Sequence, residues 1–129
     1  MYSKRVLFLD DWTDALNVAK ENLSSSKMLF EREHYRDSIT LSYYAMHSSA
    51  MAYFNKRNIY TKTHDGVLRK LSKCVKKGVF SRKCYGYLYD ARDIRNKSSY
   101  DFSAVFSREL AEEIICNAEE FIQEIESIL

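Results

Sequence analysis

Ser107-Arg-Glu-Leu-Ala-Glu-Glu-Ile-Ile-Cys-Asn-Ala-Glu-Glu-Phe-Ile-Gln-Glu-Ile-Glu-Ser-Ile-Leu129 decides the fold. Within this stretch Leu110, Ile114, Ala118, Phe121, Ile122, Ile125 and Leu129 recur at spacings of three and four. That period places them on one face of a helix with 3.6 residues per turn. Burial of the five large apolar side chains from Leu110 to Ile125 contributes about 7–15 kcal/mol gross, before chain entropy is subtracted. A helix with one such face is stable only against neighbours of the same kind.

The rest of the chain supplies them. Working outward, spacing predicts a helix from about Ser81 to Ser98, with Cys84, Tyr87, Leu88, Ala91 and Ile94 as its stripe. Another runs from about Thr63 to Gly78 on Val67, Leu68, Leu71, Cys74 and Val75, with Gly78 as a C-terminal stop. A third, from about Asp37 to Arg57, is apolar over a wide arc and is expected to be central, with neighbours on two sides. The first, from about Asp11 to Glu31, carries Trp12, Ala15, Leu16, Ala19, Leu23 and Phe30, with Asp11 as an N-terminal cap. Short connections make sequential helices antiparallel. The expected fold is all-α: an antiparallel up-and-down four-helix bundle with an additional helix, five in all, in one domain over residues 1–129.

Composition agrees. Proline is absent, and glycine occurs only at Gly66, Gly78 and Gly86, too few turn-formers for an all-β chain. Three cysteines without a CxxC pair argue against a disulfide framework or a zinc site, and for reduced thiols packed in the core. The apolar run Val6–Leu9 is too short for a signal peptide, and nothing reaches the length of a membrane span. The expectation is a cytoplasmic protein with no membrane contact. No glycine-rich phosphate loop, HExxH or paired carboxylate–histidine pattern is present, so no metal or cofactor is expected.

Charge is unevenly spread. Seven basic residues and no acids lie between Gly66 and Tyr89, and seven glutamates and no bases from Glu109 onward. Two readings stand: the two faces attract each other within the bundle, or the basic stretch meets phosphate or an acidic partner.

The segment Ala91-Arg-Asp-Ile-Arg-Asn-Lys-Ser-Ser-Tyr-Asp101 carries the candidate chemistry. Arg92, Arg95, Asn96 and Ser99 gather on one side of a helix, where a guanidinium fork can clamp a phosphate or carboxylate. The plainer reading pairs these arginines with the acidic last helix. Of the histidines, His34 falls in a connection, and His47 reads as a hydrogen-bonded core or interface residue. His64, in Thr61-Lys-Thr-His-Asp-Gly66, caps a helix or lines a cleft.

Three blocks bear a resemblance: Ser42-Tyr-Tyr-Ala-Met46, Thr63-His-Asp-Gly-Val67 and Arg95-Asn-Lys-Ser-Ser-Tyr100, followed by Ala118-Glu-Glu-Phe-Ile122. In order and spacing they resemble HEPN-domain proteins, of the small stand-alone type often encoded beside a minimal nucleotidyltransferase, over roughly Asp11 to Leu129. The resemblance implies a homodimer, a nucleotidyltransferase partner in a toxin–antitoxin-type system, and RNA or nucleotide as ligand. Ribonuclease members of the family carry an arginine, a polar residue and then a histidine. Arg95 and Asn96 match the first two, but Tyr100 stands where the histidine would fall. Tyrosine, with a pKa of about 10, is a poor proton acceptor near neutrality. The expectation is therefore a binding module rather than an active nuclease. Its ligand site would comprise Arg92, Arg95, Asn96, Tyr100 and His64, and Tyr100 is also a candidate hydroxyl for modification by the partner. The alternatives are a metal-independent endoribonuclease using Arg95 with His64 or Tyr100, and a helical scaffold without a ligand.

Overall fold

A computed structural model describes residues 12–100 and 105–129, the side chains of residues 98–100 excepted. The described residues form five helices: α1 (Trp12–Glu31), α2 (Tyr35–Lys56), α3 (His64–Lys76), α4 (Arg82–Tyr100) and α5 (Arg108–Ile128). No strand occurs among them. Asp11, the expected cap of the first helix, lies outside the described residues.

Cross-helix pairs give the directions. Lys20 pairs with Glu126 and Lys27 with Glu119, so α1 and α5 run antiparallel. Ser26 on α1 meets Ser38 and Ser42 near the start of α2, and Lys83 at the start of α4 meets Glu120 on α5. The four long helices therefore alternate up and down, and α3 packs as the additional helix against α2 and α4. α2 touches all four others, and 13 of its 22 residues are buried. Its sides are occupied by ring and methyl surface such as Ile39, Tyr43, Met46, Ala50 and Phe54.

Three helices end the same way. After α1, α2 and α3 the chain turns through a left-handed residue, Glu33 (φ 63°), Asn58 (φ 58°) and Gly78 (φ 76°). In each case the following amide donates back to a carbonyl five residues earlier: His34 to Leu29, Ile59 to Phe54, Val79 to Cys74. This closing turn satisfies carbonyls that the helix end would leave bare. The starts of α3 and α5 are capped by Thr63 and Ser107, whose hydroxyls accept from the amides of Gly66 and Leu110.

Three local expectations change. Ile115 is buried although it stands off the predicted α5 stripe, while Leu110 is only half-buried. The thiols are all free, but only Cys84 lies in the core; Cys74 is half-buried and Cys116 exposed. The basic stretch meets the acidic face of α5 only in part: Lys83, at the start of α4, pairs with Glu120, whereas the α3 portion of the stretch makes no contact with α5. Glu126 and Glu119 pair with Lys20 and Lys27 of α1, outside that stretch. Pairing follows adjacency in the bundle, and α3 sits on the opposite side of α2 and α4.

Candidate functional site

The third turn of α2 presents Tyr43, Tyr44 and His47 to the start of α3 and the second half of α4. Positions 43, 44 and 47 are neighbours on one helix face at spacings of three and four. The Tyr43 hydroxyl shares a hydrogen bond with Nδ1 of His64, the first residue of α3. His47 and His64 stack almost parallel, with ring centroids 4.0 Å apart and 9° between planes. Stacking, rather than the expected hydrogen bond, is the contact the structure gives His47.

From α4, Arg95 donates to the Tyr44 hydroxyl at 2.6 Å, and its guanidinium lies 5.3 Å from the centre of the same ring. Arg95 also approaches the Asn96 side-chain oxygen, at 3.5 Å. One turn earlier, Arg92 forms an ion pair with Asp65, the residue after His64. Neither arginine pairs with α5 among the described residues in the way the plainer sequence reading supposed. The two adjacent tyrosines of α2 thus each hold one group from another helix: Tyr43 holds His64, and Tyr44 holds Arg95.

Burial and charge set the protonation states. Burial, together with the charges of His64 and Arg92, lowers the pKa of His47 to about 4. His64 is lowered in the same direction, by burial first and then by Arg92 and Arg95. Both rings are therefore neutral near pH 7. Burial pushes the Tyr43 phenol up to about 12 against the opposing pull of Arg92, so it keeps its proton. The hydrogen bond and charge of Arg92 hold the Asp65 carboxyl below the usual range.

Beside this cluster lies an open pocket of about 340 Å3, lined by Asp65, Leu68, Tyr85, Tyr89, Arg92, Asp93 and Asn96. Tyr85 and Tyr89 stand one turn apart with ring centroids 6.4 Å apart, and Tyr89 is 56% exposed. The depression holds one cation, Arg92, which is paired with Asp65, beside a second carboxylate, Asp93, an amide and two aromatic faces. With Arg95 next to it, a guanidinium fork and a ring face can receive a phosphate together with a base, as a nucleotide presents them. No group of three or more histidine, cysteine or acidic residues is placed to hold a metal ion among the described residues. No helix among them is long and apolar enough to cross a membrane.

Of the residues named from sequence, Arg92, Arg95, Asn96 and His64 come together here. The side chain of Tyr100 lies outside the described residues. The sequence reading missed Tyr43, Tyr44, His47 and Asp65 as members of the site. The signal was present for two of them: Tyr43 and His47 lie one turn apart, and both carry polar atoms on a face otherwise read as core.

Comparison with known proteins supplies the context. The family model described as "HEPN domain" matches residues 12–128. A protein of Methanocaldococcus jannaschii named "Putative toxin" is 33% identical over 115 residues, covering 88% of this chain and 85% of the relative. A second protein of that organism bearing the same description is 25% identical over 115 residues, covering 88% and 78%. A protein of Archaeoglobus fulgidus named only as a UPF0332 protein is 28% identical over 115 residues, covering 89% and 92%.

Proposed function

This chain belongs to the HEPN-domain family, and on that premise we propose that it is the phosphate-binding helical component of a toxin–antitoxin-type pair. In this reading it binds RNA or a nucleotide at the α2–α3–α4 cluster, works as a homodimer, and has a minimal nucleotidyltransferase as its partner. The names of the two Methanocaldococcus relatives support the toxin setting. The observation that carries the ligand class is the convergence of Arg92, Arg95, Asn96 and His64 beside an open pocket with two tyrosine faces. Arg95 is half-buried and oriented by Tyr44, which lowers the entropic cost of presenting its fork. Exposed Tyr89 gives the same face apolar surface for a second copy. Tyr100, at the end of α4, remains the proposed hydroxyl for modification by the partner.

One observation favours a second reading, a metal-independent ribonuclease. His64 stands among the arginines as a neutral ring whose Nδ1 is engaged by Tyr43, leaving Nε2 for proton traffic. In such cleavage a base takes the 2′-hydroxyl proton, the 2′-oxygen attacks the adjacent phosphorus, and the bond to the 5′-oxygen breaks as that oxygen gains a proton. A neutral histidine is suited to the first of these steps.

The test incubates purified protein with single-stranded RNA and with a dinucleotide in excess chelator. Arg95→Ala is expected to weaken binding about ten- to a hundredfold, the worth of about 1.5–3 kcal/mol for a charge-assisted contact. Arg95→Lys is expected to restore part of it, since a point charge does not reproduce the planar fork. Efficient cutting by the unmodified protein, lost in both Arg95→Ala and His64→Ala, would replace the binding reading with the nuclease. Absence of binding to either ligand would leave a scaffold.

A further inference from the structure

The basic stretch of α3 has no counterpart inside the molecule. Its helix buries Val67, Leu68 and Leu71 on one side and turns Arg69, Lys73 and Lys76 outward on the other, with Lys70 half-buried at the edge and Lys77 exposed at the C-terminal cap. Lys62, in the loop before the helix, extends the row. From residue 61 to residue 81 there are six lysines and arginines against one acid, Asp65, which is already paired with Arg92. The lysines of α1 have partners on α5, as does Lys83. Lys62, Lys70, Lys73, Lys76 and Lys77 take part in none of the described ion pairs, and α3 makes no contact with α5.

Four of these cations gather around a second depression of about 260 Å3, formed by Lys62, Arg69, Lys70 and Lys73 with Tyr60 and the Thr63 end of α3. It contains no carboxylate. Tyr60 is 59% exposed at its edge, and Gly66 forms part of its wall. A methyl group on Gly66 would come within 2.4 Å of the Thr61 side chain, so the loop lies directly on the helix start and fixes Lys62 beside it. From the Thr63 cap to Lys77 the row is about 20 Å long at about 1.5 Å per helical residue. Its near end is Asp65–Arg92, the edge of the arginine cluster.

We infer that this row is a second anion-binding track, which takes the sugar–phosphate backbone of a single RNA strand whose other part occupies the arginine cluster. For its ligand class the inference rests on the phosphate-binding reading above. A solvated row of cations with an exposed aromatic face matches what single strands require, charge for the backbone and a ring for a base. An acidic protein would use the charge but leave Tyr60 and the continuity with Arg92 without a role.

The experiment measures binding of an RNA of about 12 nucleotides, within the span a single-strand groove covers, and of a dinucleotide, across a range of salt. The variant is Lys62→Gln/Lys73→Gln, both positions exposed and so compatible with folding. Loss of two phosphate contacts is expected to reduce the steepness of log K against log salt by about 1.4, at about 0.7 per phosphate for a single strand. Dinucleotide binding, which Arg95→Ala is expected to weaken, is expected to be unchanged in this variant. An unchanged salt slope and affinity for the longer RNA, with dinucleotide binding intact, would overturn the track and leave the arginine cluster standing. A lysine-dependent slope with no dinucleotide binding would do the reverse. A glutamate-rich peptide competing as well as RNA of equal charge would also overturn the track, in favour of a protein-docking surface.

Discussion

Acid should destabilise this protein through one buried ring. His47 is 9% exposed, stacked on His64, and has its pKa depressed from 6.5 to about 4. In the unfolded chain the same imidazole takes up a proton as pH falls through about 6.5. Between those two values the unfolded state binds a proton that the folded state refuses, so stability rises with pH there. The contribution is fully present above about pH 6.5, is lost progressively down to about pH 4, and changes no further below. A gap of about 2.5 at about 1.36 kcal/mol for each pH unit gives a loss of about 3 kcal/mol, a large share of the margin of a small domain. The assay is urea unfolding at pH 7 and at pH 4.5, for the unmodified protein and for His47→Gln. His47→Gln is expected to lose stability at pH 7 but to show a much smaller drop on acidification; carboxylates common to both proteins cancel in the comparison. A nuclear magnetic resonance titration of the unmodified protein gives a check that does not depend on the variant. A His47 ring titrating near 6.5, or an equal acid loss with and without the imidazole, would refute the reasoning.

Two further outcomes follow from single contacts. Ser26→Ala is expected to cost about 1–3 kcal/mol in urea unfolding, because its fully buried hydroxyl donates to the Ser38 carbonyl at 2.6 Å and meets the Ser42 hydroxyl at 2.7 Å. Tyr44→Phe is expected to change stability by about 1 kcal/mol or less but to weaken RNA binding, and its effect combined with Arg95→Ala is expected to be less than additive; full additivity in that cycle would show that Tyr44 does not position Arg95.

The helices were legible because their apolar residues repeat near 3.6, and the central place of α2 followed from the width of its apolar arc. The stops were legible only in part. Gly78 announces a left-handed residue, but Glu33 and Asn58 adopt the same conformation after α1 and α2, and a glutamate gives no sign of it. Ser26 shows a second limit. It continues the stripe of Leu16, Ala19, Leu23 and Phe30 at the right spacing, yet its polarity hid it. Three serines that satisfy one another at the α1–α2 contact behave as core, and that is visible only once both helices are in place.

The site was half legible for the same reason. A guanidinium row on α4 stands out in a linear sequence, so Arg92, Arg95 and Asn96 could be named. Tyr43, Tyr44 and His47 were not named, because a ring at helical spacing reads as packing until a partner for its polar atom arrives from another helix. The polar atoms of Tyr43 and His47, one turn apart, were the only sign. Charge was legible in part, since Lys83 of the basic stretch does pair with Glu120 of α5. Blocks of opposite sign at residues 66–89 and beyond 108 invite pairing with each other, but topology decides which faces meet. Lys20 and Lys27 are seven residues apart on α1, and Glu126 and Glu119 are seven apart on the antiparallel α5, so these pairs close in register. Exposed pairs of this kind contribute only about 0–1 kcal/mol each. Their consequence is larger for what they leave over: with acids of α5 engaged by α1 and α4, the cations of α3 face solvent beside the arginine cluster, and a polyanion meeting that side finds positive charge from Lys77 to Arg95.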